Sequence, residues 1–184
     1  MIRSYKTEGI VIKRRNFGEL DRILTVFTKH NGKIQVKAPG VRRITSRRSS
    51  HIELLNLSIL TLYKSSRSFF PIVTEAQALG EFLAIKNNLY KIGLAYYICE
   101  LVDSLCPENQ ENINVFFQVK QILFTLCHAE LNSASIISNF ETKLLMQLGF
   151  LSKTYEVADK EAFIENILER KLRTRRLLTL FANA

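Results

Sequence analysis

Arg22-Ile-Leu-Thr-Val-Phe-Thr-Lys-His-Asn-Gly-Lys-Ile-Gln-Val-Lys-Ala38 is the stretch of sequence that decides the fold. Apolar and polar residues alternate on both sides of Asn31-Gly32, and a period of two residues is the signature of a strand with one buried face. Asn-Gly is also a strong hairpin signal, because a two-residue turn of the primed type needs positive φ at both positions. The stretch therefore predicts two antiparallel strands, Arg22–Thr28 and Lys33–Ala38, joined by a tight turn.

The same alternation occurs three more times in the first 80 residues, at Glu8–Lys13, Leu57–Tyr63 and Phe69–Ala76. Five short antiparallel strands must remove their exposed edges, and a small closed barrel does so economically. We predict an α+β protein with two domains, of which residues 1–78 form a five-stranded OB-fold barrel. An SH3-like barrel is the alternative, because periodicity alone does not separate the two.

From Leu79 onward the apolar period changes to 3.6 residues, which predicts helices. Three apolar stripes have this spacing: 94–105, 115–126 and 137–148. Gly149 follows the third stripe at a C-cap position that favours positive φ, and Asp159 is placed to cap a last helix that continues toward Phe181. We predict an all-α helical bundle over residues 79–184, with a role in protein interaction.

Basic residues are concentrated in the predicted barrel. The stretch from Lys13 to Arg48 holds eleven Lys or Arg residues against two acids, a net charge of +9 that equals the charge of the whole chain. Residues 1–80 carry a net charge of +10 and residues 81–184 carry −1. A strand-borne basic surface is what neutralising a phosphate backbone requires, so the barrel is predicted to bind nucleic acid.

Two segments concentrate this charge. The first, 14–18, falls in the predicted first loop, where OB-folds contact oligonucleotides, and Phe17 there either stacks on a base or caps the barrel end. The second, 39–50, is a predicted loop with four Arg in seven residues, for which nucleic acid is favoured over simple solvation or an anionic membrane surface. The predicted DNA-binding residues are Lys13, Arg14, Arg15, Phe17, Arg22, Lys33, Lys37, Arg42, Arg43, Arg47 and Arg48.

The sequence proposes no catalytic or metal site. It holds no GxSxG, HExxH, P-loop or GxGxxG motif, and its three histidines lack metal-ligand spacing. Glu19 and Asp21 are predicted to form ion pairs with Arg22 or a loop neighbour rather than to act as acid and base. Glu100 is predicted to lie on a solvated helix face. We therefore expect a non-enzymatic protein without cofactor or metal.

The cellular location follows from what the sequence lacks. No apolar run approaches the ~20 residues that span a bilayer, and charged residues interrupt the N-terminal segment where a signal peptide would be apolar. Three cysteines without a CxxC pair favour reduced thiols in a core over disulfides. These features favour a cytoplasmic protein that does not bind membranes, and the predicted binding of nucleic acid favours association with the nucleoid.

Motifs along nearly the whole chain resemble the RecO family of bacterial DNA-repair recombination mediators. Their order and spacing carry the resemblance, and they are Glu8–Lys13, Gly18-Glu19, Asp21–Thr25, Gly32-Lys33, Gly40 with Arg42-Arg43, Ser46-Arg47, Leu57–Tyr63, Thr74–Ala76, Tyr97–Pro107, Phe140–Phe150 and Leu172–Leu178. The resemblance implies an N-terminal OB-fold and a C-terminal helical domain, in agreement with the periodicity. It also places six basic residues on the family's basic motif: Lys13, Arg14, Arg22, Arg42, Arg43 and Arg47.

What the resemblance implies about function goes beyond composition. Family members bind single- and double-stranded DNA, anneal complementary strands, bind the acidic C-terminal tail of single-stranded-DNA-binding protein and act with RecR to load RecA. Many members carry a four-cysteine zinc-binding insertion after the stretch that corresponds to 148–150, whereas here 151–157 leads directly to the last predicted helix, so zinc is not expected. Two other functions remain open from the residues alone: an RNA-binding OB module and an adaptor that receives acidic peptides.

Overall fold

A computed structural model of the chain describes residues 4–64, 66, 68–128, 133–152, 157–174 and 178. Five strands form its first part: β1 Ser4–Phe17, β2 Asp21–Thr28, β3 Gly32–Ala38, β4 Leu57–Tyr63 and β5 Ile72–Gly80. They close into a barrel in the order β1-β2-β3-β5-β4, in which β3 and β5 are parallel and the other neighbouring pairs are antiparallel. The predicted OB-fold is confirmed.

Strand β1 closes the barrel by pairing on both sides. Its first half pairs with β4 and its second half with β2, and the register with β2 shifts between Val11 and Lys13. Such a bulge bends a strand and increases its twist, which is what a small barrel needs. Inward-facing side chains of all five strands fill the interior, together with Val41 and Ile52 from the long connection between β3 and β4: Val11, Leu24, Val26, Ile34, Val36, Ala38, Leu60, Leu62 and Val73.

Several predicted boundaries are wrong by a few residues. Strand β1 continues to Phe17, so the segment 14–17 lies on a strand and only Gly18–Leu20 form the turn to β2. Strand β5 begins at Ile72 rather than Phe69, because Pro71 has no N–H to donate to a ladder. It then runs to Gly80, beyond the predicted start of the helical period.

The β2–β3 hairpin is confirmed, but its turn is not the predicted two-residue type. Thr28 pairs with Gly32, so three residues lie between the strand ends, and only Gly32 has positive φ, at 64°. The Thr28 hydroxyl accepts from the Asn31 N–H at 3.1 Å and donates to the Gly32 carbonyl at 2.7 Å. These two side-chain bonds stabilise the longer turn, which the Asn-Gly signal does not reveal.

Helices follow the barrel in sequence, and the all-α prediction for this part is confirmed. They are α1 Leu83–Lys86, α2 Leu89–Leu105, α3 Ile113–His128, α4 Ser133–Gln147 and α5 Lys160–Leu168. The Asp159 carboxylate accepts from the Ala162 N–H at 3.0 Å, and Gly149 has φ of 80°, as predicted for both caps. Helix α5 ends at Leu168, and the next residue, Glu169, has a left-handed backbone conformation. The predicted continuation of this helix beyond Leu168 is therefore wrong, and Phe181, toward which it was predicted to run, lies outside the described residues.

The chain divides into two compact units. The barrel unit contains residues 1–81 and Pro107–Ile113, and the helical unit contains Phe82–Cys106 and 114–184. The division at residue 78 stays a prediction. Cys99, Cys106 and Cys127 are free thiols. No helix in the part of the chain that the structure describes is both long and apolar enough to cross a membrane.

The segment 107–113 belongs to the barrel unit because it packs along the β2–β3 hairpin. The Asn109 N–H donates to the Lys33 carbonyl at 2.9 Å, and the Glu108 carboxylate accepts from Gln35 Nε2 at 2.8 Å. The segment covers Lys33, whose side chain is only 7% exposed although it lies on a predicted outward position. Lys33 is buried by residues some 75 positions further along the chain, and the local periodicity of the sequence does not indicate such a contact.

Candidate nucleic-acid interface

One end of the barrel gathers most of the predicted basic residues. Strand register places Arg15 beside Ile23, Ile23 beside Lys37, and Lys37 beside Ile72, so the end of β1, the start of β2, the end of β3 and the start of β5 meet there. The arginine loop, residues 39–50, leaves from this end. We call the end of β1 over 14–17, the β1–β2 turn, the end of β3 and the arginine loop together the basic rim.

Asp21 anchors the first residues of the arginine loop. Its carboxylate accepts from the Gly40 N–H at 2.8 Å and pairs with Lys37 Nζ at 2.9 Å. These two hydrogen bonds, with Gly40 as the larger cause, hold the pKa of Asp21 below its usual 3.8. Gly40 has φ of 63°, which lets the chain turn sharply at the end of β3. The predicted ion pair of Asp21 is present, but its partner is the strand residue Lys37 and not Arg22.

Two of the predicted DNA-binding arginines hold the loop in place. Arg42 Nη1 donates to the carbonyls of Gly18, at 3.3 Å, and Glu19, at 2.8 Å. Arg48 donates through Nη2 to the Pro39 carbonyl at 2.7 Å and through Nη1 to the Val73 carbonyl. Arg42 thus ties the loop to the β1–β2 turn, and Arg48 ties it to its own first residue and to β5, which fixes its path across the rim.

Arg14 and Arg22 share an acid that the sequence interpretation did not single out. The Glu53 carboxylate pairs with Arg14 through one oxygen and with Arg22 Nη1 through the other, at 2.9 Å. Burial, and then the nearby charges of Arg14 and Arg42, lower the pKa of Arg22. An isolated acid in a strongly basic stretch is a signal for such a shared pair, although it does not name the partners.

The remaining predicted residues differ in exposure. Arg15, Arg43 and Arg47 are exposed, and the side chains of Arg15 and Arg47 make no hydrogen bond or ion pair with another described residue. Lys13 is exposed as well, but it has an interaction within the chain. The arginine loop encloses an open cleft of about 460 Å³ that is lined by Asp21, Pro39, Gly40, Arg43, Thr45, Ser46, Arg47 and Arg48. Lys33, covered as described above, is not part of this exposed surface.

Apolar side chains lie among these charges. Ile44, in the middle of the arginine loop, is fully exposed, and Leu20 in the β1–β2 turn is also exposed. Phe17 is 43% exposed, with Lys37 Nζ 5.0 Å from its ring centroid in a cation–π contact. The rim thus combines a loop with a fixed backbone, exposed arginines and exposed apolar side chains. The described residues contain no group of His, Cys, Asp and Glu placed to hold a metal.

The anchoring role of Asp21 is testable with two variants. Asp21→Ala removes both the bond to Gly40 and the pair with Lys37, and we expect it to reduce amide hydrogen-exchange protection at Gly40 by about tenfold or more, since a hydrogen bond to a charged group contributes ~1.5–3 kcal/mol. Asp21→Asn keeps an acceptor for the Gly40 N–H, so protection at Gly40 should fall by less in this variant. Because the folded pKa of Asp21 is depressed, its charge stabilises the loop above pH 3.8 and ceases to do so as the pH falls through the folded value. Equal protection in wild type and Asp21→Ala at pH 7 would contradict this anchor.

The fold and this site define a class of protein. Its members have an OB-fold barrel with a basic rim, followed in sequence by a helical unit. The family model described as "Recombination protein O N terminal" matches residues 1–82, and the one described as "Recombination protein O C terminal" matches residues 86–155. The chain belongs to the RecO family.

Curated relatives agree with this assignment. The chain is 38% identical over 160 residues to the protein named DNA repair protein RecO of Roseiflexus sp. (strain RS-1), an alignment that covers 85% of this chain and 54% of the relative. It is 34% identical over 159 residues to the DNA repair protein RecO of Dehalococcoides mccartyi (strain ATCC BAA-2100 / JCM 16839 / KCTC 5957 / BAV1), covering 84% of this chain and 60% of that protein. The chain thus spans little more than half the length of the curated relatives it matches.

Proposed function

We propose that this chain is a non-enzymatic DNA-binding mediator of DNA repair that holds single- and double-stranded DNA on the basic rim. The observation that carries the proposal is the arginine loop: Asp21, Arg42 and Arg48 fix its backbone, while Arg43 and Arg47 remain exposed on it. Because the backbone of the loop is already fixed, binding a phosphate backbone orders only the exposed side chains and costs less than ordering a mobile loop. The names of the relatives support a role in DNA repair.

Strand annealing follows from the same electrostatics. Two complementary strands repel each other, and the exposed cations of residues 13–48, a segment with a net charge of +9, screen that repulsion when the surface holds both strands. No covalent step is needed. The helical unit, with a charge near neutral, then serves protein partners, which we propose to be RecR and the acidic tail of single-stranded-DNA-binding protein, so that RecA is loaded on the bound strand.

The rim is tested by removing exposed charge without disturbing the loop. Arg15→Gln, Arg43→Gln and Arg47→Gln together should weaken DNA binding about ten- to a hundredfold at ~0.15 M salt and lower the slope of log K against log [salt] by about 2 to 3. The matched control is Lys143→Gln, Lys171→Gln and Arg173→Gln, which removes the same charge from exposed positions of the helical unit. Binding isotherms at stepped salt concentrations give both quantities. An equal loss in the two triple variants would contradict a localised rim.

Annealing is measured on complementary single strands coated with their single-stranded-DNA-binding protein, and it should accelerate with this protein and fade as salt rises. DNA binding without acceleration would overturn the mediator role and leave a DNA-binding module. Tighter binding of RNA than of DNA of matched sequence would favour the RNA-binding alternative, and binding of an acidic peptide with no affinity for either nucleic acid would favour the adaptor.

A further inference from the structure

Phe69 is an exposed aromatic ring that neither the core nor the predicted DNA-binding residues explain. It lies in the connection between β4 and β5 and is 93% exposed, while its neighbour Phe70 is about half-buried. The two rings meet edge to face, with centroids 4.9 Å apart and an interplanar angle of 88°. A phenyl ring left almost wholly in water forgoes the free energy that burying it would bring. Phe69 is therefore available to a partner.

Backbone contacts fasten the end of this connection to the basic rim. The Lys37 N–H donates to the Pro71 carbonyl at 2.8 Å, and Lys37 pairs with Ile72 across the parallel β3–β5 contact. The Ser68 hydroxyl donates to the Phe70 carbonyl at 2.7 Å. Arg48 of the arginine loop donates to the Val73 carbonyl one residue further into β5. Phe69 is thus two residues from Pro71, whose carbonyl is bonded directly to the rim.

We propose that Phe69 is a stacking platform for an unpaired base of a strand whose phosphates lie on the basic rim. The proposal rests on the proposed function and adds a preference for single strands. Every base has a π-face, and a base stacks on an aromatic ring without regard to sequence. In a duplex both faces of each base are occupied by its neighbours, so duplex DNA gains nothing from Phe69.

The structure favours Phe69 over Phe17 for this role. Lys37 Nζ lies over the Phe17 ring at 5.0 Å, and this ring is only 43% exposed. Its face is therefore already used by a cation within the chain, whereas Phe69 meets Phe70 at an edge and is otherwise open to solvent. The basic rim to which this connection is bonded is positively charged. A polyanion is therefore favoured over an apolar protein surface as the partner of Phe69.

The chain contains no tryptophan, so a single introduced indole reports stacking without background. Phe69→Trp should show strong fluorescence quenching when an unlabelled single-stranded oligonucleotide is added, and little change with duplex of the same length. The matched control is Leu79→Trp, which places an indole at a half-exposed position at the opposite end of β5. Its fluorescence should be quenched neither by single strands nor by duplex. Quenching that is equal for single strands and duplex would overturn the proposal.

Removal of the ring gives a second, independent measurement. Phe69→Ala should lower affinity for single strands by about 5- to 150-fold, with duplex affinity and the salt slope unchanged. Because Phe69 is exposed, the variant is expected to fold. If wild type binds no DNA, the proposed function itself fails; if wild type binds with a steep salt slope and Phe69→Ala binds single strands equally well, only the stacking role fails. Quenching of Phe69→Trp by a peptide and not by single strands would likewise overturn it in favour of a protein contact.

Discussion

Gly32→Ala is expected to destabilise the barrel unit by about 2 to 5 kcal/mol. Two effects add at this position. Gly32 has φ of 64°, and an L-residue in that region costs ~1–2 kcal/mol. In addition, an added Cβ would lie 2.0 Å from the Gln110 carbonyl oxygen and 2.5 Å from its carbon, both backbone atoms that cannot rotate away. Overpacking of this kind typically costs ~1–3 kcal/mol more.

Relief of the clash requires the segment 107–113 to leave the hairpin. That movement breaks the bond from Asn109 to Lys33 and the bond from Gln35 to Glu108, and it uncovers Lys33. Urea unfolding followed by circular dichroism gives the change in the free energy of unfolding, and hydrogen exchange at the Asn109 N–H reports the segment itself.

Gly18→Ala is the matched control for this prediction. Gly18 has nearly the same φ, 60°, but an added Cβ there meets nothing within 4 Å. Gly18→Ala should therefore lower the free energy of unfolding only by the conformational cost of ~1–2 kcal/mol. It should leave the Asn109 N–H protected from hydrogen exchange. Equal destabilisation by Gly18→Ala and Gly32→Ala would mean that the segment does not pack against the hairpin as described.

The same hairpin shows what the sequence does and does not contain. Alternation of apolar residues over 33–38 is a local property that burial of one face imposes, so that strand was predictable from it. Strand β2, which lies between two paired neighbours in the closed barrel, is instead buried at every position over 23–28. The turn was mispredicted because the Thr28 hydroxyl, which carries no weight in an Asn-Gly signal, stabilises a longer loop. The burial of Lys33 was not predictable, because the segment 107–113 that covers it is distant in sequence.

The arginines illustrate the limit for the candidate site. Composition locates the charge of residues 13–48, but it does not separate an arginine that binds a backbone carbonyl from one that is open to solvent. Arg42 and Arg48 have the first role and Arg47 the second, although all three belong to one basic loop. Each role depends on a carbonyl that strand pairing or a turn brings within reach. Whether these residues contact DNA stays a prediction.

Glu100 shows the same limit in the helical unit, where the predicted solvated face is wrong. Its side chain is only 11% exposed, and its carboxylate binds the chain that follows α5. It accepts from the Arg173 N–H at 3.0 Å, the Thr174 N–H at 2.9 Å, the Thr174 hydroxyl at 2.6 Å and Arg170 Nη1 at 3.1 Å. A single acid on α2 thus serves four donors some 70 residues away, and the surrounding polar sequence gives no sign of it.

Glu100→Ala is expected to destabilise the helical unit by about 3 kcal/mol. Hydrogen bonds to a charged group are worth ~1.5–3 kcal/mol, and donors left unpaired in a partly buried place add a desolvation cost. Glu100→Gln retains an acceptor and should lose roughly half as much. The exposed Glu169→Gln removes one negative charge from the same stretch and should be nearly neutral.

The pH dependence separates the charge of Glu100 from its shape. Burial acts to raise the pKa of Glu100, but the hydrogen bonds from the Thr174 hydroxyl, the Arg173 and Thr174 amides and Arg170 outweigh it, so the pKa lies below its usual 4.5. A depressed carboxyl pKa contributes stability that is present above the unfolded value and is lost as the pH falls through the folded value. The difference in unfolding free energy between wild type and Glu100→Gln should therefore be full at pH 7 and shrink below pH 4.5. Urea titrations at stepped pH measure it, and a difference that stays constant through this range would mean that the ionised carboxylate does not hold the segment.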